Sequence, residues 1–251
     1  MNLVVSNLSL TLVTGLVLVA LFISYREKLG LNKDIVIGVI RTVIQLTVVG
    51  YVLKYVFKIN NWALTVLMIL IIIVNAADNA RKRGPGIDNA FLISFIAILT
   101  STVVVVGTLI ATGSLKMIPA QIIPFSGMVA SNTMVAIGLC YRSLNTSFRD
   151  QRQQIIEKLA LGAEIKLASK SILGESVRAG MSPTIDSAKT VGLVSLPGMM
   201  SGLIIAGVDP VKAIKYQIMV MFMLLATTAI GSVIACYLAY RKFYNTQMQL
   251  K

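Results

Sequence analysis

Two sets of side chains in this sequence place ligand chemistry inside otherwise apolar stretches. The first is Pro124, Met128, Asn132 and Met134, followed further along by Pro197, Met199 and Met200. Thioethers favour soft metals, whereas amide and carbonyl oxygens suit harder ones. A proline inside a helix frees a backbone carbonyl, and free carbonyls at membrane depth occur only against protein or a cavity. These residues are therefore read as the lining of a substrate path that holds its cargo loosely. The competing reading is apolar filling, the usual role of Met.

The second set is Arg41, Gln45, Asn75 and Asp78. Asn75, Asp78 and Asn79 share one helix face, at i, i+3 and i+4. They serve either as the polar end of a helix near the headgroups or as an entrance for a cation. Arg41 either snorkels to the headgroups or is tethered to Asp78. A single carboxylate is too few for a hard divalent site, so no metal ligands are assigned. The chain has no His, which removes the usual zinc sites and His-based acid–base schemes. It also has no G-x-x-x-x-G-K-[ST] run, so it does not cradle ATP phosphates by that route.

The elements that carry these residues must lie in lipid. Of 251 residues, 56% are hydrophobic and only 13% charged, and the mean hydropathy is +0.82. A soluble domain of this length has too much surface to hide so much apolar area. Crossing the hydrocarbon takes roughly 20 helical residues. Seven stretches qualify, at about 5–24, 35–56, 62–78, 90–111, 117–141, 191–208 and 213–240. The expected fold is an all-α polytopic bundle forming one transmembrane domain over 1–251. The first stretch lacks the positive flank of a signal peptide and is read as a retained span. Pro124 and Pro197 are expected to kink or break the fifth and sixth spans.

The net charge of +13 does not signal nucleic-acid binding, because the basic residues sit in short loops rather than in one patch. Arg26, Lys28 and Lys33, then Arg81, Lys82 and Arg83, then the basic residues of 142–190, then Arg241, Lys242 and Lys251 all fall on one side. The other side holds only Lys54, Lys58, Lys116, Lys212 and Lys215. The positive-inside rule puts the N-terminus outside and the C-terminus in the cytoplasm. Cys140 and Cys236 fall at cytoplasmic span ends and are expected as free thiols.

Residues 142–190 form the one sizeable cytoplasmic segment. Phe148, Ile155, Ile156, Leu159 and Ala163 repeat at helical spacing, as do Leu167, Ala168, Ile172, Leu173 and Val177. Gly180 is read as a stop, and Ser182-Pro183 as the cap and first turn of a new helix. Glu175, Arg178, Ser182 and Pro183 are the candidate contacts for a coupling partner. Gly198-x-x-x-Gly202 permits close helix approach, either internally or across a homodimer seam.

The segment Ala188-Lys-Thr-Val-Gly-Leu-Val-Ser-Leu-Pro-Gly-Met-Met-Ser-Gly, followed by Ala213-Ile-Lys-Tyr-Gln, closely resembles the Fet-type (FetB-like) iron-export ABC permeases, whose plant relatives are linked to aluminium tolerance. Arg41-Thr-Val-Ile-Gln-Leu, Pro124-Phe-Ser-Gly-Met, Asn132-Thr-Met and Ala160-Leu-Gly-Ala are similar to the same family. The resemblance implies a homodimeric permease in the cell membrane that exports metal ions, iron being the expected cargo, and pairs with a separate ABC ATPase. ATP would then sit on that partner, and this chain would bind no cofactor. Two alternatives stand beside it. One is an ATPase-independent channel or ion-coupled carrier. The other is an intramembrane enzyme, which the lack of His and of facing aspartates disfavours.

Cysteine labelling checks the orientation. In a background lacking Cys140 and Cys236, a cysteine at Gln154 is expected to resist impermeant reagents in intact cells and to react once the membrane is opened. Labelling from outside overturns the arrangement.

Overall fold

The computed structural model describes residues 11–59, 61–245 and 247–251. Ten α-helices lie among them. The chain divides into two compact units, residues 1–59 and 60–251.

The first unit holds α1 (Gly15–Arg26) and α2 (Asn32–Ile59). Much of the first expected span begins in residues 1–10, outside the described residues. Along α2, Val36, Ile40, Val43, Ile44, Leu46 and Val49 are all exposed. A helix that is apolar all round is at home in hydrocarbon, not in water.

The second unit contains α3 (Trp62–Arg81), α4 (Ala90–Ala111), α5 (Pro119–Asp150), α6 (Arg152–Ala160), α7 (Ile165–Ala168), α8 (Lys170–Thr190), α9 (Gly198–Ile205) and α10 (Pro210–Ala239). Among the described residues, five helices are long and apolar enough to cross a membrane: α2, α3, α4, α5 and α10. The protein is thus an all-α polytopic membrane protein. Pro124 does not interrupt α5, which runs on well past Tyr141.

The stretch expected as the sixth span is different. Residues 191–197 are unwound, and α9 has only 8 residues, about 12 Å of helix and too short to cross alone. Gly192 sits in the left-handed region, at φ +85°. Pro197 then holds the residue before it out of the helical region. Helix cannot continue through both.

α8 leads into this break. This helix does not stop at Gly180 or restart at Ser182-Pro183; it runs unbroken from Lys170 to Thr190 with Pro183 inside. It lies antiparallel to α5. Gln151 Nε2 donates to Glu175 Oε2 at 3.2 Å, and Ser176 Oγ donates to Ser143 Oγ at 3.1 Å. Further along, Gly180 meets Cys140 and Ala136, and Thr184 and Ser187 reach the level of Asn132. Beyond the break, Met199 packs on the cluster of Val105, Leu115, Ile122, Phe125, Val129, Val220 and Met223 at the opposite end. α8, the break and α9 therefore run the length of the bundle as one discontinuous path.

Small residues let these helices meet, as membrane packing requires. A Cβ on Gly180 would lie 2.5 Å from Cys140 Sγ, 2.6 Å from Ser232 Oγ and 3.0 Å from the Ala136 carbonyl. This close approach is why the helix carries a glycine here. Tyr141 is fully buried; its hydroxyl lies 2.9 Å from Ser94 Oγ, and its ring fills the space that a side chain at Gly84 would take. Outside the spans, the Lys251 ammonium lies 2.6 Å from Asp88 and holds its carboxyl below the usual range.

Two glycines of α8 make a paired test. Gly180→Ala should cost about 1–3 kcal/mol by overpacking. Gly174→Ala, where an added Cβ meets nothing within 4 Å, should gain about 0.5–1 kcal/mol from helix propensity. Thermal unfolding of the full chain in detergent reads both.

Candidate functional site

The break between α8 and α9 organises the candidate site. The Thr190 carbonyl accepts from both Leu193 N–H (3.2 Å) and Val194 N–H (3.0 Å), and Gly192 N–H donates to the Ser195 carbonyl at 2.9 Å. These bonds close a tight turn between two half-helices. The first N–H groups of α9 have no intrahelical acceptor by construction. Pro183 likewise deprives the Ala179 carbonyl of its helical donor.

Two cavities flank the C-terminal half of α8. The smaller, about 120 Å³, is lined by Asn132 of α5, by Pro183, Thr184 and Ser187 of α8, and by Met221 and Thr228 of α10. Asn132 Nδ2 donates to the Met128 carbonyl at 2.8 Å, which fixes the amide and leaves its oxygen for the cavity. Thr228 Oγ1 donates back to the Leu224 carbonyl at 3.0 Å. The larger cavity, about 400 Å³, is lined by Val191, Gly192, Met200, Gln217, Met221 and Phe222. Met221 belongs to both walls. Gln217 is buried, and its Oε1 has no hydrogen-bond partner among the described residues. No charged side chain lines either cavity. Among the described residues, no group of three or more His, Cys, Asp or Glu is placed to hold a metal ion.

The residues singled out from sequence are distributed as follows. Asn132 and Met200 each line a cavity, and Pro197 caps the start of α9. Met128 and Met199 pack together on the Val129 cluster. Met134 packs on the other cluster, with Ile137 and Cys140, and Pro124 is exposed on α5. Pro183, first considered for coupling, lines the Asn132 cavity. Glu175, Arg178 and Ser182 lie on the exposed face of α8. Arg41 and Gln45 are exposed on α2. Asp78 pairs with Lys82 at 2.6 Å and Arg81 at 2.8 Å, both on its own chain segment. Asn75 and Asn79 donate to the carbonyls of Ile71 and Asn75, so these amides close their own helix. Neither Gly198 nor Gly202 has a neighbour within 4 Å of an added Cβ, so this motif makes no close internal contact among the described residues.

Gln217, Thr184, Ser187 and Thr228 were not singled out from sequence. Gln217 was visible as a lone amide in an apolar run. Thr184 and Ser187 read as residues of a cytoplasmic helix and Thr228 as an ordinary membrane-helix hydroxyl, and only the antiparallel seating of α8 brings them together.

The sequence profile of the uncharacterised protein family UPF0014 matches residues 7–244. The chain is 57% identical over 246 residues to the probable iron export permease protein FetB of Escherichia coli K12, covering 98% of this chain and 95% of that one. It is 34% identical to the UPF0014 membrane protein STAR2 of Oryza sativa subsp. japonica, covering 94% and 83%. It is 31% identical to the protein ALUMINUM SENSITIVE 3 of Arabidopsis thaliana, covering 94% and 86%. No solved structure shows significant similarity.

The polar wall of the smaller cavity should admit water. In a background lacking Cys140 and Cys236, Thr184→Cys and Ser187→Cys are expected to react with a small water-soluble thiol reagent. Ser126→Cys, at a fully buried position, is expected to stay unreacted under the same conditions.

Proposed function

This chain belongs to the UPF0014 family of membrane proteins, and on that basis we propose that it is the permease subunit of an ABC exporter that carries iron out of the cytoplasm. The observation that carries the reading is the near full-length similarity to a probable iron export permease. The discontinuous α8–α9 path supports it. Transporters build substrate sites from broken helices near the middle of the bilayer, where unwound backbone and half-helix ends face a cavity. Asn132, Met200, Met221 and Gln217 supply amide and thioether donors beside such a break. Neutral donors hold a cation weakly, which suits release.

The chain has no G-x-x-x-x-G-K-[ST] run, so in this reading a separate ATPase drives it. The charge distribution favours a cytoplasmic location for the Gln151–Glu175 end of the bundle, with the N-terminus outside the cell. There Leu161, just after α6, and Leu167 of α7 are exposed, and Glu175 and Arg178 are exposed on α8. An ATPase docked on this surface would push on a rigid rod. α8 is 21 residues long, about 30 Å, and ends at the break. A second copy of the chain would complete the path, because the break exposes Leu193, Val194 and Leu196.

The test is iron content in cells lacking their own exporters. Expression of this chain with its ATPase should lower cell iron and raise resistance to excess iron, and expression without the ATPase should do neither. Asn132→Leu, which removes a donor and an acceptor, should abolish most of the effect at normal abundance. Met134→Leu nearly conserves volume in a packed cluster and should preserve it. Unchanged iron with both subunits present overturns the reading.

A further inference from the structure

The larger of the two cavities beside the break is walled by one polar side chain, Gln217. The other side chains around it are aliphatic, aromatic or thioether, among them Leu196, Met200, Met221 and Phe222. Lys215, two residues from Gln217, lines a different groove on the α4 side of α10. Gln217 is 7% exposed, and its Oε1 is buried with no hydrogen-bond partner among the described residues. A terminal amide turns about its last torsion with little restriction, so this oxygen can be presented to whatever fills the cavity.

An amide oxygen without a donor is costly wherever apolar matter surrounds it. A lipid chain in the cavity would leave it unpartnered. An occupant that carries a hydrogen-bond donor would not. The volume, about 400 Å³, falls in the range of small-molecule sites, roughly 300–1,000 Å³. A bare divalent ion does not suit these walls. Such ions take about six oxygen ligands or more, carboxylates among them. The side chains here offer one amide and two thioethers. The loss of the ion's water shell outweighs what those contacts supply.

We propose that the larger cavity takes a metal ion still wrapped in its own organic ligands, as an uncharged complex with an apolar surface. Gln217 selects this complex by accepting a hydrogen bond from one of those ligands. The inference rests on the export reading above and names the form in which the metal travels. An uncharged complex needs no charged donor from the protein, which matches a cavity with no charged lining. Met200 and Met221 then act as adaptable apolar walls and leave the metal's own ligands in place.

Two ferric complexes test the role of the amide. Three singly charged hydroxypyridinone ligands wrap Fe³⁺ into a neutral complex, and the ring nitrogen carries either a hydrogen or a methyl group. The full chain in lipid nanodiscs with its ATPase is titrated with each complex in excess ligand, and uptake by empty nanodiscs is subtracted. The N–H complex should bind about tenfold more tightly, the effect of one hydrogen bond to an otherwise unpaired oxygen. Partitioning into lipid alone gives the reverse order, because the methyl complex is the more apolar. Gln217→Leu and Gln217→Met should bind both complexes alike. Fe²⁺ added anaerobically as a simple salt should displace neither. Equal binding of the two complexes by the wild type overturns the proposal, as does a preference that survives both substitutions. Displacement by bare Fe²⁺ overturns it too. So does the absence of saturable binding, the result expected if a lipid chain or a second copy of this chain fills the cavity. If neither variant accumulates, the wild-type comparison decides alone. Wild-type protein that lowers cell iron but fails these tests defeats only this inference. Wild-type protein that does not lower cell iron with its ATPase present defeats the export reading itself.

Discussion

The packing of α8 into the groove between α5 and α10 is the contact on which the rest of the architecture depends. Gly180 makes it possible, since any side chain there would drive into Cys140, Ser232 and the Ala136 carbonyl. Only Ile172, Leu173, Ser176 and Gly180 of this largely polar helix are buried. That narrow stripe sets how deep α8 runs beside α5. Depth in turn decides where the chain unwinds and which residues face Asn132.

The unwound stretch shows the same constraint from the solvent's side. Hydrocarbon offers no hydrogen bonds, so irregular backbone at depth survives only where protein or water satisfies it. The turn from Thr190 to Ser195 meets part of this need internally. Of the two cavities, the larger borders this stretch at Val191, Gly192 and Leu196. They are lined by amides, hydroxyls and thioethers, groups that tolerate an apolar setting at lower cost than charges do. Gln217 is buried with its oxygen unpartnered among the described residues.

Hydroxyl and amide side chains elsewhere are used conservatively. Thr102, Thr133 and Ser101 donate to carbonyls one turn back in their own helices, as do Asn75 and Asn79. Such bonds satisfy a polar group without a tertiary partner. They explain why a membrane helix can carry many polar residues that perform no transport chemistry.

The sequence by itself determined that this chain is an all-α membrane protein, because its long apolar runs have no other stable solvent. It also exposed the family resemblance, the absence of a G-x-x-x-x-G-K-[ST] run, and Pro197 and Met200 as residues at an interruption. Pro197 marked the break, since its ring restricts the backbone locally. The seating of α8 was decided by tertiary structure alone. Gly180 read as a helix stop, because a glycine required for close approach looks the same in sequence as one required for a turn. Hydropathy averages over all faces of a helix. It cannot register that one stripe is held in the bundle while Asp186 and Lys189 face away from it. Nor can it separate Met134, locked in packing, from Met200 and Met221, which border open space, since that difference lies in the neighbours each side chain meets.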